Sequence, residues 1–333
     1  MTDQYVPPYR ITPSILHSIE QIGEALGKLR VDADSAVVPI LRRGNRIKTV
    51  QASLAIEGNT LSLEQVTAVL AGKRVLAHPR EIQEVRNAFA AYEKMSDWNA
   101  HSRTDLLAAH GLLMAGLVDE AGRFRTGRVG IRRGETVIHL APPATRVPAL
   151  VGDLLSWLEK TNEHPLVASC VFHYEFEFIH PFQDGNGRLG RLWQTLILSQ
   201  WRPIFALLPV ESIIRDRQQD YYAALSQADQ AADATAFIEF MLAAILQAIE
   251  ESASAAGGEK TLQKTLQETP QKTPELIVAL LKQNSRLTIG ELARQIGKSP
   301  SAVQRALNKL QETQLIERIG PDKGGHWVVK EKP

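Results

Sequence analysis

Residues 180–191 read HPFQDGNGRLGR and connect two apolar stretches of the chain. Pro181 disfavours helical geometry at the residue before it, so the first stretch is predicted to be a helix that ends just before His180. After Asp184, the Gly-Asn-Gly turn at 185–187 leads into a second stretch whose apolar positions recur at helical spacing. The segment is therefore predicted to be a tight turn between two core helices.

This turn carries positive charge at a helix N-terminus, where the helix dipole disfavours it. Arg188 and Arg191 lie in the first two turns of the second helix. A glycine-rich turn of this kind offers unpaired backbone N–H groups to an anion, and guanidinium groups match the geometry of phosphate oxygens. We therefore predict that Gly185, Asn186 and Gly187 form a phosphate-binding turn together with both arginines. The alternative is an ordinary turn with solvated arginines.

Two other side chains of the segment suit the chemistry of a bound phosphate. Asp184 supplies the kind of oxygen ligand that Mg²⁺ prefers, and His180 is a candidate general base beside the anion. A zinc site is an alternative, because His173, Glu177 and His180 recur on one helical face. No further ligand follows at a spacing typical of zinc sites, so the sequence favours phosphate binding.

Apolar residues recur at helical spacing over most of the chain before residue 251, which predicts a mainly α-helical fold. The helices are predicted at residues 13–30, 43–57, 63–71, 79–95, 104–117, 147–161, 165–179, 187–200, 211–226 and 233–250. The exception is residues 128–140, where two β-branched runs flank Arg-Arg-Gly-Glu and predict a β-hairpin.

The C-terminal part of the chain has a different pattern. Residues 251–273 are polar and repetitive, with few residues able to anchor a core, so we predict a mobile linker. In residues 274–333, a helix at 274–283 precedes a helix-turn-helix pattern, a Gly-Gly turn and the strand-like run HWVV. Thr288 and Glu291 have the spacing of a capping box. This pattern predicts a winged helix-turn-helix.

The second helix of this pattern is predicted to begin at Ser299 and Pro300, after Gly297 closes the helix before it. As a recognition helix it would present the polar residues Ser301, Gln304, Arg305 and Asn308 to bases or phosphates. Ten Lys and Arg against six Asp and Glu leave residues 274–333 with a charge of about +4, which is only mildly basic. DNA binding and protein binding therefore both remain open for this unit.

The whole chain of 333 residues has a formal charge of +1, which gives no general reason to expect a polyanionic partner. Cys170 is the single cysteine and lies in an apolar run, so we predict a buried thiol and no disulfide within the chain. The N-terminal residues lack a secretory signal pattern, and no run approaches the roughly 18 to 20 apolar residues of a membrane span. We therefore expect a cytoplasmic protein without a membrane partner.

The segment HPFQDGNGRLGR matches the signature HxFx(D/E)GNGRxxR at every fixed position, and in this it resembles the Fic family. Members of this family typically transfer AMP from ATP onto a hydroxyl side chain of a target protein. The resemblance implies ATP as the substrate and Mg²⁺ as the cofactor. By this resemblance His180 is the base that deprotonates the target, and Asp184 is the Mg²⁺ ligand. The turn of Gly185, Asn186 and Gly187 binds the α- and β-phosphates. Arg188 contacts the β-phosphate, and Arg191 contacts the γ-phosphate.

Two further segments resemble parts of the same family. GRFRTGRV at 122–129, with the predicted hairpin after it, is similar to the flap that holds a target segment by strand-type backbone pairing. DYYAAL at 220–225 is similar to the helix that lines the adenine pocket, with Tyr221 and Leu225 on one face. The resemblance therefore implies that these two residues contact the adenine base.

Residues 53–59 read SLAIEGN and are predicted to end a helix, with Gly58 as the residue that terminates it. Glu57 is then an acid at the negative end of a helix dipole, and pairing with Arg191 would relieve both misplaced charges. The stretch matches the Fic inhibitory motif (S/T)xxxE(G/N), with Ser53 as its first residue. The resemblance implies that Glu57 takes the place of the γ-phosphate on Arg191, so that ATP binds unproductively.

The resemblance as a whole implies a Fic-type helical domain with a β-hairpin flap and a small C-terminal winged helix-turn-helix domain. The expected regions are residues 1–110, which are helical and include the inhibitory motif at 53–58, residues 111–250 for the Fic core, residues 251–273 for the linker and residues 274–333 for the winged helix. The expected partners are a target protein with an acceptor hydroxyl, the chain itself as a target, DNA through the last unit, and a second copy of the chain.

Two other functions remain open from the sequence. Some members of the family use the same glutamate to remove AMP from a protein, and the motifs do not separate the two directions. A DNA-binding regulator that senses nucleotide without transferring it is a third function. That function would require a degraded loop, whereas His180, Asp184 and both arginines of the signature are present.

Overall fold

The computed structural model describes residues 5–28, 38–133 and 136–268, and in the C-terminal part residues 277, 280–281, 287–296, 300–312, 315–319 and 326–329. The chain divides into two compact units, Met1–Ala255 and Ala256–Pro333. None of the described helices is both long enough and apolar enough to cross a membrane.

The first unit consists of α-helices and one antiparallel β-hairpin, so the predicted mainly α fold is confirmed. Its helices are α1 (Pro13–Lys28), α2 (Val38–Ile56), α3 (Leu63–Leu70), α4 (Pro79–Lys94), α5 (Arg103–Leu113), α6 (Val147–Lys160), α7 (Pro165–Ile179), α8 (Asn186–Trp201), α9 (Val210–Asp216), α10 (Gln218–Ala231) and the part of α11 (Thr235–Glu268) up to residue 255. The hairpin consists of β1 (Gly130–Arg133) and β2 (Thr136–Leu140), with a register shift between Ile131 and Arg132.

Helices α7 and α8 form the centre of the core. Nearly every residue of α7 is buried, as expected for a helix that is apolar on all sides. Phe172 and Phe176 stack within it at 5.8 Å between ring centroids. The apolar stripe of α8 includes Trp193, which is fully buried and donates its indole N–H to the carbonyl of Ala100 at 3.0 Å. This packing fixes the turn that joins the two helices.

Cys170 lies in the same buried part of α7. Its side chain is fully buried, and this burial raises the pKa of the thiol to about 12. A thiol with such a pKa stays protonated and unreactive at neutral pH. The buried thiol predicted from the sequence is therefore confirmed.

The two largest differences from the predicted helices are at residues 211–226 and after residue 250. The single helix expected at 211–226 is divided into α9 and α10 at Arg217, whose φ of −115° and ψ of 35° are not helical. The guanidinium carbon of Arg217 lies 5.1 Å from the ring centroid of Phe240 on α11. No glycine or proline marks this break in the sequence. The break coincides instead with a cation–π contact to a residue distant in the chain.

Helix α11 continues to Glu268 and thus includes most of the segment predicted as a linker at 251–273. Residues 251–268 are rich in Glu, Ala, Lys, Leu and Gln, which are good helix formers, and this propensity explains why the polar segment is helical. The remainder of the predicted linker, residues 269–273, lies outside the described residues.

The second unit contains α12 (Ile289–Ile296), α13 (Pro300–Glu312), β3 (Ile316–Ile319) and β4 (His326–Val329), and the two strands pair antiparallel. Leu292, Leu307 and Trp327 are buried in its core. Thr288 and Glu291 form the predicted capping box, with the Thr288 N–H donating to Glu291 Oε2 at 2.8 Å. The winged helix-turn-helix is confirmed, although Gly297, Ser299 and most of the helix expected at 274–283 lie outside the described residues.

Candidate active site

The turn between α7 and α8 contains two residues with left-handed backbone conformations. His180 follows the last residue of α7 with φ 48° and ψ 63°, and its N–H donates to the carbonyl of Phe176 at 3.0 Å. Gly185, which precedes α8, has φ 88°. The left-handed region is uncommon for a residue with a β-carbon, so contacts around His180 must hold it there.

Asn186 fixes the shape of the turn with its side chain. Its Oδ1 accepts from the N–H of Phe182 at 2.9 Å, and its Nδ2 donates to the carbonyl of Phe182 at 2.8 Å. The first bond within helix α8 runs from the N–H of Leu189 to the carbonyl of Gly185 at 3.0 Å. The N–H groups of Asn186, Gly187 and the next residue thus precede that bond and can bind an anion.

His110 supports the turn from helix α5. Its Nδ1 accepts a hydrogen bond from the N–H of Gly122 at 2.9 Å, so the proton of the neutral ring is on Nε2. Nε2 lies 2.9 Å from the carbonyl of Asp184 and donates to it. The imidazole also stacks on the fully buried ring of Phe182, with 3.7 Å between the centroids. Burial lowers the pKa of His110 to about 4, so the ring is neutral at physiological pH.

This neutral His110 is expected to make folding sensitive to mild acid. The unfolded chain takes up the proton near the ordinary pKa of 6.5, whereas the folded protein excludes it until about pH 4. The contribution to stability is therefore complete above pH 6.5 and is lost as pH falls from 6.5 to 4, by about 3 kcal/mol. We expect His110→Gln to flatten the dependence of the free energy of unfolding on pH in this window, as measured by urea denaturation.

The glutamine side chain is a suitable replacement because it can accept one hydrogen bond and donate another without titrating. His173, whose pKa burial lowers to about 3, should retain its own part of the pH dependence. An unchanged slope in the His110→Gln protein would show that His110 is not held neutral.

Asp184 is paired with two arginines. Its Oδ1 accepts from Arg188 Nη2 at 2.8 Å and from the N–H of Gly185 at 2.6 Å, and its Oδ2 accepts from Arg80 Nη2 at 3.0 Å. Arg188 also contacts Glu84 at 3.4 Å. Within the described part of the chain, the buried Nε of Arg188 has no hydrogen-bond partner. A buried donor of this kind is costly, and a phosphate oxygen would satisfy it.

Arg191 is held by the end of helix α2. Its side chain is nearly fully buried, its Nε donates to Ser53 Oγ at 3.1 Å, and its Nη2 donates to the carbonyl of Ser53 at 3.0 Å and to Glu57 Oε1 at 2.7 Å. Burial by itself would lower the pKa of Arg191, but interactions with Glu57, Tyr221 and Glu177 together outweigh it, so the pKa lies above its ordinary value. The guanidinium of Arg191 therefore stays charged at neutral pH.

Two glycines allow Glu57 to reach this position. Helix α2 ends at Ile56, and Gly58 turns the chain with φ 90°. A β-carbon added at Gly187 would overlap Oε1 of Glu57. The carboxylate thus lies against the first turn of α8, where the backbone N–H groups and helix dipole favour an anion.

Six of the predicted site residues line one cavity of about 180 Å³. Its walls include Glu57, His180, Gly187, Arg191, Tyr221 and Leu225. The sequence separates these residues by up to 168 positions, and the packing of α2, α7, α8 and α10 brings them together. Asp184 and Arg188 belong to the same turn but are not among the residues that line this cavity.

The zinc alternative is not supported by the geometry of His173. Its Nδ1 lies 2.7 Å from Gln194 Oε1 and donates to it, and its Nε2 accepts from the hydroxyl of Tyr221 at 3.2 Å. Both ring nitrogens are thereby occupied, which leaves no lone pair for a metal ion. His173 instead positions Tyr221 in the wall of the cavity.

Sequence reasoning missed four residues that shape this site, namely Arg80, Glu84, His110 and Arg125. In the sequence, Arg80 and Glu84 resemble the solvated face of an amphipathic helix. Arg125 is one of three arginines in GRFRTGRV and cannot be distinguished from Arg123 and Arg128 by pattern alone. Its burial is visible only in the structure.

Comparison with known proteins relates the chain to two families and to several solved structures. The model of the Fic/DOC family matches residues 100–198, and that of the winged helix-turn-helix DNA-binding family matches residues 271–317. The chain is 54% identical to a Fic family protein from Desulfovibrio desulfuricans G20 of known crystal structure, with a TM-score of 0.75 and 99% of each chain covered.

Curated relatives are more distant and longer. The chain is 30% identical to protein adenylyltransferase fic-1 of Caenorhabditis elegans over 234 residues, which are 66% of this chain and 43% of that protein. It is 31% identical to protein adenylyltransferase Fic of Nematostella vectensis over 201 residues, which are 57% of this chain and 44% of that protein. The chain thus spans less than half the length of these curated relatives.

Proposed function

The chain belongs to the Fic family, and from this we propose that it transfers AMP from ATP to a hydroxyl side chain of a protein. The observation that carries the proposal is that His180, Gly187, Arg191 and Tyr221 line the same cavity. These residues combine a candidate base, a phosphate site and an aromatic wall. The names of the curated relatives, which are protein adenylyltransferases, support the same reaction.

In the proposed reaction, His180 accepts the proton of the acceptor hydroxyl. The hydroxyl oxygen then forms a bond to the α-phosphorus of ATP, while the bond from that phosphorus to the oxygen of the β-phosphate breaks. Pyrophosphate leaves with the released electron pair. The backbone N–H groups of the turn at 185–187 and the guanidinium of Arg188 bind the phosphates and stabilise the charge that develops on them.

Asp184 suits a Mg²⁺ ion that arrives with ATP. Mg²⁺ is commonly held by one or two carboxylates together with substrate phosphates. The Asp184 side chain is 38% exposed and directly precedes the turn at residues 185–187. When bound, the ion would neutralise phosphate charge. Asp184 would exchange its contacts with Arg80 and Arg188 for the metal, and both guanidinium groups could then turn to phosphate oxygens.

Tyr221 and Leu225 are proposed to contact the adenine base. Both line the cavity, Tyr221 is buried, and Leu225 packs at the edge of the core one helical turn further along α10. The hydroxyl of Tyr221 is held by His173, so the ring presents a fixed apolar surface on which a flat base can stack.

Glu57 is proposed to inhibit the reaction. Its carboxylate holds Arg191 at 2.7 Å, and this guanidinium is the group assigned to the γ-phosphate. A triphosphate can reach its productive position only when Glu57 moves away, because two anions cannot share one buried guanidinium without strong repulsion. The contact between Glu57 and Arg191 therefore sets whether the enzyme is active.

The position of the label in ATP tests the reaction. We expect the Glu57→Gly protein to transfer label from α-labelled ATP to protein, whereas γ-labelled ATP should leave the label in pyrophosphate. Transfer of the γ-label would instead indicate a phosphotransferase. Absence of labelling from either substrate would contradict the proposed activity.

A second candidate function is the removal of AMP from a protein. The observation that favours it is the Glu57 carboxylate, which lines the same cavity as His180 and could activate a water molecule. Incubation of an AMP-modified protein with the unmodified enzyme distinguishes the two directions. Release of AMP that Glu57→Gly abolishes would support removal, and no release would exclude it.

The second unit is proposed to bind DNA through α13. Gln304, Arg305 and Asn308 are exposed on this helix, and the Gln304 side chain donates to Asn308 Oδ1 at 2.8 Å. Exposed polar and cationic groups on a recognition helix can contact bases and phosphates. The match to a winged helix-turn-helix DNA-binding family supports this role.

Salt titration of DNA binding by the full chain tests this role. We expect Arg305→Ala to weaken binding and to reduce the slope of log affinity against log salt by about one. Lys73→Ala, which removes an exposed cation from the first unit, is the matched control and should leave the slope unchanged. Equal slopes for both variants would favour a protein-binding role for the second unit.

A further inference from the structure

Arg125 lies between the hairpin and the end of helix α7. Only 3% of its surface is exposed, although neighbouring Arg123 is exposed. Its Nε donates to the carbonyl of His180 at 2.7 Å, and its Nη2 contacts the carbonyl of Ile179 at 3.3 Å. The last carbonyls of a helix lack intrahelical partners, so this guanidinium caps α7 at the residue that carries the candidate base.

The same guanidinium holds both ends of the hairpin. Its Nη1 donates to the carbonyl of Gly127, before β1, at 2.9 Å, and its Nη2 donates to the carbonyl of Pro142, after β2, at 2.6 Å. Between these two points the N–H of Ala141 donates to the carbonyl of Val129 at 3.3 Å. One buried side chain therefore connects the two legs of the hairpin to the end of α7.

The backbone of Arg125 adds a further link. Its N–H donates to the carbonyl of Pro181 at 3.0 Å, directly after His180. His180 has a left-handed conformation that costs about 1 kcal/mol or more for a residue with a β-carbon. The hydrogen bonds from Arg125 to the carbonyls of His180 and Pro181 can stabilise this left-handed conformation and offset its cost.

We propose that Arg125 is a positioning residue that joins the hairpin and His180 into one hydrogen-bonded unit. The proposal rests on the proposed function, in which His180 is the base, and on the resemblance of the hairpin to the flap that holds a target segment. Arg125 thereby sets the distance between the acceptor hydroxyl and the base. Loss of its guanidinium displaces the His180 backbone without removing any group that binds ATP.

Three variants separate this role from a general effect on folding. Arg125→Met removes all donors but retains an apolar stem of similar length. Arg125→Lys keeps the charge and can satisfy only part of the fork-shaped set of bonds. Arg123→Met removes an exposed arginine from the same segment and serves as the matched control.

The first readout is the ring resonance of His180 in histidine-labelled protein without nucleotide. The resonance is identified by its loss in a His180→Asn protein. We expect it to shift in Arg125→Met and Arg125→Lys and to stay in place in Arg123→Met. If Arg125→Met does not fold, Arg125→Lys decides the result. A His180 resonance that does not move in the folded Arg125 variants overturns the proposal.

The second readout is the rate of pyrophosphate release in the Glu57→Gly background. We expect Arg125→Met to lower kcat by about 100-fold, the effect of displacing a reacting group by about 1 Å. KM for ATP should stay within about threefold, and Arg125→Lys should recover part of kcat. A fall explained entirely by weaker ATP binding overturns the positioning role. If the Glu57→Gly protein itself is inactive, the proposed function has failed, and the resonance alone decides on Arg125.

Discussion

Alanine in place of His180 is expected to abolish AMP transfer. General base catalysis by a positioned histidine contributes about 10²- to 10⁴-fold to the rate, and His180 is the base assigned to the acceptor hydroxyl. The loss should appear in kcat, because the phosphate-binding groups at Gly187, Arg188 and Arg191 do not depend on the imidazole. The measurement is the rate of label transfer from α-labelled ATP in the Glu57→Gly background.

The left-handed backbone of residue 180 calls for a control. Alanine at φ 48° carries strain, whereas asparagine tolerates this region and also lacks a base. We therefore expect His180→Asn to lose transfer to the same extent while its melting temperature stays close to that of the parent. A His180→Asn protein that keeps more than about a tenth of the parent rate would contradict the role of His180 as the base.

Glycine in place of Glu57 is expected to raise AMP transfer by about 10- to 100-fold. Release of Arg191 removes a charge-assisted hydrogen bond worth about 1.5 to 3 kcal/mol, and every 1.4 kcal/mol corresponds to a factor of ten. The freed guanidinium keeps its bonds to Ser53 and gains a vacant position for the γ-phosphate. Initial rates with α-labelled ATP, compared between the variant and the unmodified protein, measure the effect.

Two variants show whether charge or space accounts for this activation. Glu57→Gln removes the charge but can still accept a weaker hydrogen bond from Arg191, so we expect a smaller increase than with glycine. Glu64→Gly removes a carboxylate from α3 at an exposed position and should leave the rate unchanged. A rate for Glu57→Gly no higher than that of the unmodified protein would refute inhibition by Glu57.

Local chemistry explains why the turn between α7 and α8 was predictable from the sequence. Pro181 ends one helix, the glycines open the next, and the apolar stripe around Trp193 places both in the core. The mainly α fold and the winged helix were predictable for the same reason, since capping residues and apolar periodicity act within a few residues of each other.

Contacts between distant segments account for what the sequence did not predict. His110 reaches the carbonyl of Asp184 across 74 positions, and Arg80 reaches its carboxylate across 104. No local pattern distinguishes such residues from ordinary members of a helix. The break at Arg217 is of the same kind, because its contact with Phe240 depends on how α10 and α11 pack.

The backbone conformation of the polar segment after residue 250 was not predicted for a different reason. Its Thr-Leu-Gln repeats and its few apolar residues predict a linker, whereas most of its residues have good helix propensity. The structure continues α11 to Glu268. Composition alone therefore did not predict the backbone conformation of this segment.

Mass spectrometry of a cell lysate incubated with ATP, Mg²⁺ and the Glu57→Gly protein tests the central claim most directly. The claim is that the site transfers AMP to protein hydroxyls once Arg191 is released. It predicts AMP on serine, threonine or tyrosine side chains of one or more proteins, or of the enzyme itself, and none with the Glu57→Gly, His180→Asn double variant. Absence of AMP from every protein in the sample with Glu57→Gly would contradict it.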